Sequence, residues 1–516
     1  MCPRGKLKKK SIRLLLFFGI TALFLYSCDT SVNSNIGNSL VYEGPGGGRE
    51  NGRFYAQNMV NNRFYSLYAD KLWNKQDSKC VVWAERGSGI TEQDAKKVAE
   101  YYDDIYVKMM AVFGLYKNFT DVFANDGKVI ASDIMELADY YGNGDKKLCI
   151  LLLKIEDSYT PGVNNSYVAG YFSPYNFLGY DPKDTYTYYS NECDMIYIDV
   201  KYITLGLPEP YSTLAHEMQH LMNYVTSISE RFNGRTPRQM DLWIDEGLSG
   251  AAEYVTAGEH NKSRVEWYNE DPTRWITNGN NFYIWGNYTS SNPLAVLDDY
   301  ATVYIFFQWL RLQSKDPQLK ETNIYREIIY SPHSNYEAVT AAAVNAISND
   351  YKNNWPLLLR DWLAANYINA SAGRYGYKND PVLNQIKPLF LKGASGSSYP
   401  LAPGEGIYTQ KTSMPETAPY IKYSGLPSRG SLSYPNDHSV SGYSALLSYN
   451  ADTSANANNY SFCSPFSVET DPSLRQDTRM NTASFRLSQE QPSLSGPYPI
   501  SAGDMLRLNG HEEDQR

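Results

Sequence analysis

His216-Glu217-Met218-Gln219-His220 places two imidazoles and a carboxylate within five residues. On a helix, side chains four apart share a face, so His216 and His220 can grip one ion together. Glu217 follows the first histidine and can reach a water held by that ion. Bound zinc lowers the pKa of water toward neutrality, and a neighbouring carboxylate completes its activation as general base. The chemistry this suits is hydrolysis of a peptide carbonyl. A solvated helix turn with two surface histidines is the bland alternative.

A catalytic zinc takes three protein ligands and leaves one position open. The best source of the third is Trp243-Ile244-Asp245-Glu246-Gly247-Leu248-Ser249. Glu246 lies beside Trp243 in a helical stretch, and a buried carboxylate there needs a partner. Asp245 and Glu253 are alternative ligands. Glu253 lies seven residues beyond Glu246 on the same face, so it can instead orient a histidine from behind. The oxyanion that develops during hydrolysis needs a donor beside the metal. Tyr300, opening the helical run Tyr300–Phe307, is the candidate. The chain has 45 tyrosines, and core packing is the other reading of this one. His260, His333 and His438 sit in polar contexts without a second motif and read as surface histidines.

The elements that must position these residues can be read from periodicity. Cys80–Ala84, Leu148–Ile155 and Met195–Asp199 are strand-like. Met195–Asp199 is either a core strand or a cleft wall that pairs with extended substrate. Thr91-Glu92-Gln93-Asp94 resembles a capping box ahead of a helix that ends near Gly114. Asp139–Asp145 reads as a turn rather than a calcium loop, because the terminal glutamate is absent. Pro208 and Pro210 stop the preceding segment. Ser212 or Thr213 is a candidate cap for the His216 helix, which should run to about Val225. Trp243–Val255 is helical, and the pattern recurs over Leu297–Leu312, Tyr336–Ile347 and Trp355–Ile368. From about residue 395, Gly, Ser, Pro and Tyr rise and short alternating runs such as Tyr443–Tyr449 begin. The expected fold is α+β. Residues 75–210 form an α/β part, 211–390 the His216 helix and a helical subdomain, and 395–516 a β-rich accessory region.

The chain opens with a targeting pattern. Arg4, Lys6, Lys8, Lys9, Lys10 and Arg13 precede the apolar run Leu14–Tyr26, which is short for a membrane span. Leu25-Tyr26-Ser27-Cys28 resembles a bacterial lipobox, implying cleavage after residue 27 and lipid on Cys28. An ordinary secretory signal is the alternative. Both imply export, with the lipid anchoring the protein in the bacterial envelope. Residues 28–74, rich in Ser, Asn and Gly at the start, read as a flexible tether. Removing six basic residues takes the net charge from −9 to −15. So acidic a chain is poorly suited to neutralising phosphates, which excludes general nucleic-acid binding. Cys80, Cys149, Cys193 and Cys463 show no C-x-x-C spacing and define no disulfide framework. No feature fixes an oligomeric state.

Taken together, these segments resemble the hyicolysin-type metallopeptidases, bacterial zinc proteases of the gluzincin group. The resemblance covers roughly residues 75–390. It rests on Gly170-Tyr171-Phe172, Ser190-Asn191-Glu192, Met195–Asp199, His216–Tyr224, Trp243–Ser249 and Asp361–Tyr367. It implies a zincin-like domain with zinc on His216, His220 and Glu246, Glu217 as acid/base and a polypeptide substrate. Thermolysin-like enzymes place a supporting Asp four residues after the zinc-binding Glu, where this chain has Gly250. The G-x-M-E-N segment of aminopeptidases is absent, which favours an endopeptidase over an exopeptidase. A non-enzymatic surface adhesin on the same fold is the remaining alternative.

Overall fold

A computed structural model describes residues 52–453, except 62, 115–146, 158–167, 178–186, 192, 202, 204–208, 232–237, 280–295, 391–400, 402, 411–420 and 437–441. The leader, Cys28, the 139–145 turn, His438 and Cys463 lie outside the described residues. The chain order is β1 (Arg53–Gln57), β2 (Phe64–Trp73), β3 (Cys80–Glu85), α1 (Glu92–Phe113), β4 (Leu148–Leu153), β5 (Gly170–Phe172) and β6 (Met195–Asp199). Then follow α2 (Glu209–Glu230), α3 (Leu242–Ala257), α4 (Lys262–Glu270), α5 (Val296–Gln313), α6 (Ile324–Ile329), α7 (Tyr336–Ala346) and α8 (Trp355–Ile368). The strands β7 (Gly406–Thr409), β8 (Ile421–Leu426) and β9 (Ala445–Asn450) end the described chain. The α+β expectation matches this mixed architecture.

Six strands form one sheet in the order β1-β2-β3-β4-β6-β5. β3, β4 and β6 run parallel, and β5 closes the edge antiparallel to β6. β4, Leu148-Cys149-Ile150-Leu151-Leu152-Leu153, is buried at every position, as a strand covered on both faces must be. Its continuous apolar run explains why no alternation shows in the sequence. β6 is paired on both sides, so it is a core strand; β5, last in the strand order, lies against α2. Cys80, Cys149 and Cys193 are buried.

The tether expected over 28–74 is folded from Arg53 onward. β1 alternates half-buried and buried residues, and Phe54 packs edge-on against Trp83 at 5.2 Å. The sheet curls until β1 meets the far end. There the Asn191 side chain acts as a strand substitute, accepting from Tyr55 N at 2.8 Å and donating to Tyr55 O at 2.9 Å. Tyr171 Oη accepts from Gln57 N at 3.1 Å. Backbone groups at an exposed strand edge need such partners.

The capping box forms as read: Thr91 Oγ1 accepts from Asp94 N at 3.2 Å, and Asp94 Oδ2 from Thr91 N at 3.1 Å. α1 buries Ala95, Val98, Ala99, Tyr102, Ile105 and Met109 at helical spacing. α2 is longer than expected at both ends. It begins at Glu209, so Ser212 and Thr213 lie inside it and do not cap it. Pro210 sits in the first turn, where its missing N–H costs nothing. A side chain at Gly170 would come within 2.7 Å of Thr213 Cγ2, so glycine lets β5 lie close along α2.

α3 packs between α2 and α5. A Cβ on Gly247 would stand 2.3 Å from the Phe307 ring, so these helices approach through glycine. Gly247→Ala is therefore expected to cost about 1–3 kcal/mol by overpacking. A denaturant titration checks this, and an unchanged midpoint would contradict the packing described. Deeper in the subdomain, fully buried Asp361 is paired with Arg360 at 2.7 Å and Arg374 at 3.2 Å. The C-terminal strands, ordered β7-β9-β8, dock on α8. Tyr408 Oη donates to Leu363 O at 2.7 Å, and Arg429 Nη1 to Tyr367 O at 3.2 Å. No helix among the described residues is long and apolar enough to cross a membrane.

Candidate metal centre

α2 and α3 lie side by side and face each other with charged groups that are nearly all buried. His216, Glu217 and His220 come from α2; Asp245, Glu246 and Glu253 from α3. The two imidazoles lie 4.8 Å apart between ring centres, as the four-residue spacing dictates. Glu246 Oε2 is 3.2 Å from His216 Nε2 and 3.5 Å from His220 Nε2. One ligand atom from each of His216, His220 and Glu246 falls within 4.8 Å of the others. Two ligands of a tetrahedral zinc at about 2.1 Å stand roughly 3.4 Å from each other. The donor set and its spacing therefore fit zinc.

Each histidine is held from behind by a carboxylate. Glu253 Oε1 is 2.9 Å from His216 Nδ1, and Asp245 Oδ2 is 2.9 Å from His220 Nδ1. Both carboxylates accept, so Nδ1 carries the proton and Nε2 turns toward the metal position. Of the three acids open as ligands, Glu246 joins the cluster, while Asp245 and Glu253 orient the histidines. Asn223 donates to Asp245, and Asn261 Nδ2 donates to Glu253 Oε2 at 3.0 Å. With Gly250 at the thermolysin-like position, this chain draws support from Glu253, three residues further on. Glu253→Gln is expected to weaken zinc binding by about 10- to 100-fold, read by chelator competition. Unaltered affinity would remove Glu253 from the support.

The charges of this cluster are mutually dependent. Burial alone would lower the His216 pKa, but its hydrogen bonds to Glu246 and Glu253 lift it to about 9. His220 also rises despite burial, through Asp245 and Glu246. Burial opposes ionisation of Glu246, yet the two histidines hold it well below the usual carboxylate range. Glu253 likewise stays ionised against burial, through His216 and the charge of Arg264. Without metal, protons therefore occupy the nitrogens that a metal needs. Zinc affinity is expected to climb from pH 6 to about 9, with about two protons released per ion. Calorimetry in buffers of different ionisation enthalpy counts them; no proton release would contradict the charge state.

Glu217 is the odd member. It is buried, and among the described residues its Oε2 has no hydrogen-bond partner. Burial raises its pKa to about 7, against the pull of both histidines. A carboxylate so poised can take and return a proton near neutrality. Tyr300, in the second turn of α5, lies 6.3 Å from the His216 ring between centres. The Arg264 guanidinium stands 4.6 Å from the Tyr300 ring centroid. The structure thus brings Tyr300 to the cluster.

Sequence reading missed Asn261 and Arg264, which carry no motif. It also placed His260 on the surface. His260 is buried instead, with Nδ1 2.9 Å from Tyr304 Oη and Nε2 2.9 Å from Asp380 Oδ2. Tyr304 Oη also accepts from Asn261 N at 3.0 Å, which pins the turn that carries Asn261. His333 pairs with Glu337 at an exposed site, as expected of a surface histidine.

Fold and site together describe an α+β protein with a buried His-His-Glu cluster able to hold a metal ion. The chain is similar to the neutral metalloprotease ShpI of Staphylococcus hyicus, 26% identical over 343 residues. The match takes in 65% of this chain and 66% of that protein, just under two thirds of its length. No family model matches the chain. The similarity supports a metalloprotease function.

Proposed function

We propose that the chain is a zinc metalloendopeptidase of the hyicolysin type, with a zincin-like domain. The observation that carries this reading is Glu217: a buried carboxylate with one unengaged oxygen, next to a cluster shaped for zinc. His216, His220 and Glu246 would hold the ion. When bound, zinc supplies a Lewis acid that acidifies water and polarises a carbonyl. Glu217 accepts the proton of the attacking water and delivers it to the leaving amine. Tyr300 donates to the oxyanion. Glu253 and Asp245 keep both imidazoles in the tautomer the metal requires. The β5 edge, close along α2, is the place where an extended polypeptide would add to the sheet.

In this reading the protein is exported and tethered to the bacterial envelope by lipid on Cys28. The test of activity is cleavage of N-terminally blocked peptides by the zinc-loaded chain, which an exopeptidase needing a free amine leaves intact. Failure to cleave any blocked peptide would sink the endopeptidase reading. For the anchor, labelled fatty acid should enter the wild-type protein and not Cys28→Ser; equal labelling would refute the anchor.

A further inference from the structure

Arg264 is a charged side chain that the proposed mechanism does not use. It sits in the first turn of α4, is 3% exposed, and its Nη1 has no hydrogen-bond partner among the described residues. A guanidinium carries five N–H donors in a planar fork, and leaving them unspent out of water is costly. The Tyr300 ring, 4.6 Å away, offsets part of that cost through its π face, but supplies no hydrogen-bond acceptor in this stacking. The Arg264 charge helps to keep the buried Glu253 ionised. Both of its oxygens are engaged, one by His216 and the other by Asn261. Arg264 Nη1 therefore has a neighbouring charge but no acceptor among the described residues. Its stacking partner, Tyr300, also borders His216.

We propose that Arg264 is a specificity residue that binds a carboxylate of the substrate, adjoining the metal centre on the Tyr300 side. A planar carboxylate matches the fork and can accept two parallel hydrogen bonds. A neutral peptide oxygen can accept from the fork but leaves the charge uncompensated. Two sources share this chemistry: an acidic side chain, or the C-terminus of a peptide. The inference rests on the proposed peptidase reading for the nature of its ligand, but its test reads binding rather than turnover.

The full chain carrying Glu217→Gln, loaded with zinc, is titrated calorimetrically with two pairs of probes. The first pair is N-acetyl-Ala-Phe as free acid and as amide. The second is N-acetyl-Ala-Glu-amide and N-acetyl-Ala-Gln-amide. In one pair, the acid is expected to bind at least about tenfold tighter than its neutral twin, and that pair identifies the source. Adding Arg264→Gln should bring the ratio to within about twofold, and Arg264→Lys, which keeps charge but loses the fork, should leave an intermediate ratio. Ratios near one for both pairs with Arg264 intact would overturn the proposal, whatever the folding of the variants. So would a preference that survives Arg264→Gln, because the carboxylate would then be binding the metal. Failure of the peptidase reading would show separately, as wild-type protein that binds the acid probe but hydrolyses nothing.

Discussion

Glu246→Ala is expected to abolish zinc binding at micromolar zinc and to abolish hydrolysis with it. One of three protein ligands is lost, and the loss in affinity should be on the order of a thousandfold or more. The effect is larger than for Glu253→Gln because Glu246 is both ligand and counter-charge. Its Oε2 approaches both imidazoles, and they in turn keep it ionised in a site where burial would protonate it. Removing it leaves His216 and His220 without their shared acceptor, so each should lose its proton at lower pH than in wild type. Zinc affinity measured by chelator competition, together with histidine titration followed by NMR, checks both parts. Retention of tight zinc binding would show that another acid, Asp245 or Glu253, can serve as third ligand.

Glu217→Gln should do the opposite to the metal: zinc stays and chemistry goes. Loss of the general acid/base is expected to lower kcat/KM by on the order of a thousandfold or more. The same substitution should stabilise the metal-free protein, in a way that depends on pH. Burial raises the Glu217 pKa from 4.5 to about 7. Below pH 4.5 the carboxyl is protonated both folded and unfolded, and its titration costs nothing. Between pH 4.5 and about 7 the unfolded chain ionises while the buried group stays protonated, so stability is lost across that window and the loss levels off above it. Glutamine is neutral throughout. Its advantage should therefore be near zero at pH 4.5 and grow to at most about 3 kcal/mol at pH 8. Denaturant titration of both proteins with chelator present measures this. An inactive variant that is also less stable at pH 8 would mean that Glu217 is not the desolvated carboxylate described.

Much of the candidate site was legible in the sequence, because its geometry is local. His216, Glu217 and His220 lie on consecutive turns of one helix, where spacing alone fixes the face. Glu246 was readable from its place beside Trp243 in a helical stretch. Its neighbours were less so. Asp245 and Glu253 were seen as candidates, but which acid meets the metal and which supports a histidine depends on how α3 is rotated against α2. The close approach of α3 to α5 through Gly247 and Phe307 is a contact made across 60 residues of chain, which no local pattern shows. Asn261 and Arg264 were invisible because neither carries a motif, and His260 was misplaced because Tyr304 and Asp380 reach it from 44 and 120 residues away. β1 was hidden for a different reason. Its alternation covers only five residues next to a Ser, Asn and Gly-rich stretch, and its outer edge is satisfied by distant side chains, Asn191 and Tyr171 among them.

The account depends on zinc held by His216, His220 and Glu246 to drive peptide hydrolysis. The most direct measurement strips the full chain of metal with a chelator, then restores zinc in steps while following cleavage of an N-terminally blocked peptide. The expected result is no activity in the stripped protein and a linear return that levels off at about one zinc per chain. Undiminished cleavage by the stripped protein, or none at full zinc occupancy, would contradict the account.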